Sequence, residues 1–116
     1  MTEAISEKPL RDDLTVLQKK LKEKPEDVGS HTRLGWAQFS LAHYDDAVAT
    51  FENAYKRWPG EIEVNYGLGL AHKMQGKRKE ALVSFERAEM IEPDSVRSSM
   101  MQTLAAEQKE YLLQMT

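Results

Sequence analysis

Pro25, Pro59 and Pro93 are evenly spaced along the chain. A fixed period means that one small supersecondary unit is used more than once, and it restricts the fold more tightly than any single motif could. The same displacement brings Leu34 onto Leu68, Gly35 onto Gly69 and Ala37 onto Ala71. It also brings Ala47 onto Ala81, Phe51 onto Phe85, Glu52 onto Glu86 and Ala54 onto Ala88. The repeated units are therefore residues 28–61 and 62–95. A unit this short cannot bury its own apolar face, so each must be stacked on a neighbour.

Each unit reads as two helices. Ala, Leu, Glu, Lys and Gln dominate, and runs of alternating β-branched residues are missing. In the first unit Val28, Leu34, Ala37 and Leu41 form one helical pattern, with a break expected at Ala42-His43. Ala47, Val48, Phe51, Ala54 and Tyr55 form the second, which stops before Pro59. In the second unit the break falls at Gly76, a residue able to take the left-handed conformation that ends a helix. The prolines cannot continue the helices they follow, and they disfavour helical geometry at Lys24, Trp58 and Glu92. Gly35 and Gly69 lie inside first helices, where glycine costs about 1 kcal/mol relative to alanine. Close approach of a neighbouring helix would offset that. Ala47, Ala54, Ala81 and Ala88 would serve the same contact, and Phe51 and Phe85 would fill the space between units.

The flanks extend the stack. Residues 1–9 read as a short, loose polar tail, and residues 10–116 as a single domain. Leu10, Leu14, Leu17 and Leu21 share one helical face. Leu17 and Pro25 are in register with Phe51 and Pro59, but Asp13 and Lys20 stand where Ala47 and Ala54 would. Residues 10–25 are thus a degenerate half-unit, the second helix of a pair whose first is missing. Residues 96–114 carry Val96, Met100, Leu104, Tyr111 and Leu112 and read as a capping helix. There Gln102 and Thr103 replace the Leu-Gly signature.

The paired signatures, Leu34-Gly35, Ala47-x3-Phe51 and Pro59, then Leu68-Gly69, Ala81-x3-Phe85 and Pro93, resemble the tetratricopeptide repeat pattern Trp-x2-Leu-Gly-x2-Tyr, Ala-x3-Phe, Pro. The departures are His31 and Asn65 at the tryptophan place, and Gln38 and His72 at the tyrosine place. The resemblance implies an all-α solenoid of antiparallel helix pairs, about six helices in a right-handed superhelical stack. It also implies a concave groove lined by the first helices. Carried over to this chain, the groove would show Thr32, Trp36, Phe39 and Ser40, then Tyr66, Leu70, Lys73 and Met74. The capping helix would add Arg97, Met100, Met101 and Leu104. Some members of the family clamp acidic chaperone C-termini with Lys, Asn and Arg. Here Thr32, Trp36, Gly67 and Met101 occupy clamp places, and only Arg97 fits, so that use is not expected.

Other chemistries find little support. "AHKMQGKR" (71–78) is close to a phosphate-binding loop, but Ala71 replaces the first glycine and Arg78 the magnesium-binding hydroxyl. The chain has no cysteine, so disulfides and thiolate metal sites are excluded. His31, His43 and His72 have no ligand spacing, and no metal or cofactor is implied. A net charge of -3 with both signs mixed gives no basic excess for nucleic acid. The cluster Lys73, Lys77, Arg78 and Lys79 reads as solvated surface, and Asp45 and Asp46 favour a helix N-terminus. No apolar run approaches a membrane span and no secretory signal opens the chain, which makes the cytoplasm the expected location. The expected function is a non-catalytic scaffold, adaptor or co-chaperone that holds an apolar or amphipathic peptide segment of a protein partner. The alternative is a structural homodimer that buries the same groove face by self-association.

Overall fold

Each of the evenly spaced prolines lies in a short connection, and a new helix starts within a few residues of it. The computed structural model describes residues 7–115. Among them run α1 (Glu7–Glu23), α2 (Val28–Ser40), α3 (Tyr44–Arg57), α4 (Ile62–Met74), α5 (Arg78–Met90) and α6 (Val96–Gln114), with no strand. The tail expected at residues 1–9 falls outside the described residues as far as residue 6, and residues 7–9 already belong to α1.

The order of packing follows the repeat. α2 pairs with α3 and α4 with α5, while α3 also packs on α4, and α5 on α6. α1 also packs on α2. The first helices touch each other as well, α2 with α4 and α4 with α6, so they make one wall of the molecule.

Two phenylalanines hold the layers together. Phe51 and Phe85 have no exposed surface, and full burial of such a ring stabilises by about 1.5–3 kcal/mol. Glycine makes room for them. A Cβ on Gly35 would lie 2.7 Å from the Phe51 ring, and one on Gly67 would lie 2.5 Å from it. Phe51 is therefore held between the backbones of its own unit and the next. A Cβ on Gly69 would likewise lie 2.5 Å from Phe85.

The polar departures from the repeat pattern have defined roles. The His31 Nε2 atom lies 2.9 Å from the Pro25 carbonyl oxygen, and Asn65 Nδ2 donates to the Pro59 carbonyl at 3.0 Å. Each ties its helix back to the preceding proline turn. Thr50 Oγ1 donates to Gln38 Oε1 at 2.6 Å in the interior. Asp27 caps α2, accepting from the Gly29 N–H at 3.1 Å and the Ser30 hydroxyl at 2.9 Å. The first-unit break covers residues 41–43 and so includes the expected Ala42-His43. Ala42 takes the left-handed conformation (φ 61°) that Gly76 takes at the matching place of the second unit (φ 79°). Gly76 thus closes α4, Ala71 is buried inside that helix, and "AHKMQGKR" is a helix end rather than a phosphate loop.

α6 is attached by donors rather than by a wide apolar face. Gln102 Nε2 donates to the carbonyls of Ala88, Glu89 and Ile91 at 3.1, 2.9 and 2.7 Å, which satisfies the C-terminal end of α5. Lys109 pairs with Glu89 at 2.7 Å, and the hydrogen bond to that carboxylate raises its pKa. Arg78 Nε donates to the Leu112 carbonyl at 2.9 Å. Of the apolar residues on this segment Leu112 is buried, together with Ala105. Val96, Met100, Leu104 and Tyr111 face outward instead.

Candidate partner-binding wall

The wall of α2, α4 and α6 gathers most of the residues predicted to line a groove, at different depths. Ser40, Met74, Arg97, Met100 and Leu104 are exposed. Trp36, Phe39, Tyr66, Leu70, Lys73 and Met101 are half-buried. Thr32 is buried, and its hydroxyl donates to the Gly29 carbonyl at 3.1 Å within α2. It offers nothing to a guest, which corrects its place in the predicted groove: the α2 helix turns it inward and satisfies its only donor.

Aromatic rings run across the wall. The Trp36 ring lies 6.0 Å from Phe39 and 6.0 Å from Tyr66, and rests edge-on against Phe51 at 5.1 Å. Phe39 continues to Tyr44 at 5.3 Å. Tyr66 rests against Phe85 at 6.2 Å. Burial, and then the charge of Glu107, raise the Tyr66 pKa, so its phenol stays neutral. Trp36 and Phe39 pack against the interior around Phe51, and Tyr66, Leu70 and Met101 against the interior around Phe85. These residues support the core on one side and face outward on the other.

Polar clasps hold the three helices in place. One oxygen of Glu63 accepts from Trp36 Nε1 at 2.8 Å and from Arg97 Nη2 at 2.9 Å, so a single carboxylate on α4 ties α2 to α6. That hydrogen bond, and then the carboxylate's charge, raise the Arg97 pKa. Toward the other end of the wall Lys73 donates to Gln108 Oε1 at 2.7 Å and lies 4.9 Å from the Tyr111 ring centroid. Glu63, Gln108 and Tyr111 were not in the predicted groove. Glu63 had a signal: it stands one full period before Arg97, so opposite charges occupy one repeat position on adjacent helices.

A hollow of about 760 Å³ lies at the turn ends rather than on the wall. It is bordered by His43, Tyr44, Asp45, Asp46 and Lys77, with Met74 as the only predicted groove residue. No group of three or more His, Asp or Glu able to hold a metal occurs among the described residues. Nor is any helix among them long and apolar enough to cross a membrane.

Stacked helix pairs with a continuous wall of first helices define a helical-repeat interaction module. Comparison with known proteins gives the family. A family model described as tetratricopeptide repeat matches residues 39–107, and the chain belongs to that family. It is 30% identical over 81 residues to Superkiller protein 3 of Schizosaccharomyces pombe, a match covering 70% of this chain and 6% of that protein. Among solved structures, MamA MSR-1 C2 superimposes with a TM-score of 0.64 at 22% identity, covering 94% of this chain and 64% of that one. MamA 41-end from Desulfovibrio magneticus RS-1 gives 0.67 at 19% identity, covering 91% and 66%. At these identities the two structures share the fold, and this chain spans just under two thirds of each.

Proposed function

We propose that this protein is a non-catalytic interaction module whose α2–α4–α6 wall holds an apolar or amphipathic peptide segment of a protein partner. The observation that carries this reading is the row Phe39, Trp36, Tyr66, Leu70, Met101 and Leu104. It crosses three helices; Phe39, Trp36, Tyr66, Leu70 and Met101 pack against the core, and Leu104 is exposed at its end. Aromatic and methionine side chains are the types enriched where proteins dock. Methionine also adapts its shape to differing ligands. The clasp at Glu63 prearranges the wall, which lowers the ordering cost of binding.

Peptides selected from an amphipathic library against the wild-type chain are then titrated by fluorescence anisotropy against Met74→Asp and Leu104→Asp. Both substituted side chains are exposed, so the fold is retained while the wall gains charge. Binding weakened by about tenfold or more, equivalent to about 1.4 kcal/mol, supports the reading. Unchanged affinity in both variants overturns it. Trp36→Ala combined with Leu70→Ala is a poorer test, because the Trp36 ring rests on Phe51 and its loss also weakens the core.

A further inference from the structure

The outward side of α6 is apolar, and the repeat itself indicates what fits there. Val96 is 79% and Met100 62% exposed, and Leu104 lies beside them. A hollow of about 410 Å³ continues the same side past Thr103, Glu107 and Tyr111. Val96, Met100, Thr103 and Leu104 occupy the repeat positions of Ile62, Tyr66, Gly69 and Leu70, one period further along the chain. Of these, Tyr66 and Gly69 meet Phe85 of α5 directly, and Ile62 and Leu70 belong to the same apolar cluster, which gathers Ala81, Phe85 and Ala88 of α5 with Ala105 and Leu112 of α6. The exposed stripe of α6 thus repeats the register in which α4 meets Phe85, the second-helix phenylalanine of its own unit.

At the opposite end α1 has the register of a second helix and an open side of its own. Val16 is 50% exposed, whereas Thr50 and Ser84, in the same register one and two units later, are buried. Lys20 is exposed, whereas Ala54 and Ala88 in the same register are fully buried. We infer that α6 of one chain seats α1 of a second copy, so that the two helices pair as one further unit across a head-to-tail contact.

The side chains match in size. A Cβ at Gly69 would lie 2.5 Å from the Phe85 ring, so Thr103 in that register cannot receive a phenylalanine. Leu17, which takes the phenylalanine place in α1, is shorter. Val96 is smaller than Ile62 where Lys20 is larger than Ala88. The Lys20 stem can lie along Val96 while its ammonium reaches water. The contact uses different surfaces on the two copies, so it propagates unless geometry closes it. It shares Met100 and Leu104 with the proposed peptide wall but does not require peptide binding, and Met74→Asp, which lies outside the α6 stripe, tests that reading separately.

Sedimentation velocity over about a hundredfold concentration range tests it through mass action. The wild-type chain should rise in average mass past a dimer. Met100→Glu and Val16→Glu should each stay monomeric alone, because each spoils one end. An equimolar mixture of the two should form a one-to-one dimer and stop there, since one intact α6 meets one intact α1. Far-UV circular dichroism verifies the fold of each variant, and Met100→Lys with Val16→Lys repeats the test with the opposite charge. A wild-type chain that is monomeric throughout overturns the inference. So does association that survives either substitution, or a mixture that remains monomeric.

Discussion

Gly67→Ala tests the account of how the layers are joined. The added methyl would lie 2.5 Å from two atoms of the Phe51 ring and 2.9 Å from a third. The ring has no exposed surface and cannot retreat, because the backbone at Gly35 closes its other side. Overpacking of this kind costs about 1–3 kcal/mol. Alanine returns about 1 kcal/mol through its better helix propensity. Contact with a ring confined on both sides belongs to the upper part of the first range, so a net loss of about 1–2 kcal/mol is expected. Urea denaturation followed by circular dichroism should show a lower midpoint at an unchanged slope. Gly60→Ala is the control: nothing lies within 4 Å of its Cβ position, and its effect should stay within about 0.5 kcal/mol. In a Phe51→Leu background the methyl has room, so Gly67→Ala should become neutral or stabilising, with a coupling of about 1 kcal/mol or more. A stabilising Gly67→Ala in the wild-type chain, or an equal effect in both backgrounds, would refute the reasoning.

Ala42→Gly should stabilise the chain by about 1 kcal/mol, since an alanine at positive φ carries a penalty that glycine escapes. A calorimetric Tm higher by about 4 °C would register it, and Gly76→Ala should shift Tm the other way. Acid titration addresses the α2 cap. The hydrogen bond from Ser30 is the largest influence on Asp27, partly opposed by its desolvation, and its pKa falls below the ordinary 3.8. A depressed carboxylate pKa contributes stability that is present above the unfolded value and lost as pH falls through the folded one. The urea midpoint of the wild-type chain should therefore decline faster below about pH 4 than that of Asp27→Asn. Parallel curves would remove the cap from the acid response.

The parts of this molecule that were legible in the sequence are those that recur. Proline turns, Phe51 with Phe85 and Gly35 with Gly69 repeat at one displacement, and together they give the helix pairs and their stacking. Gly67 does not recur, since Arg33 and Met101 occupy its places, so its role against Phe51 became visible only in three dimensions. The family model supports the class of function, but the wall is assembled from single positions on different helices, which periodicity alone does not rank by depth. Thr32 shows the consequence: it shares the spacing of groove residues, yet the turn of α2 sends its hydroxyl to a backbone carbonyl. The last helix inverts the usual equation of apolar with inside. Gln102 and Lys109 point inward because the end of α5 and the Glu89 carboxylate need donors there. A buried carbonyl left unsatisfied costs about 1–3 kcal/mol, comparable to what burying a methionine would gain. With polar residues committed to that side, Val96, Met100 and Leu104 are carried to the opposite face of the helix, which is why the apolar stripe of α6 faces outward.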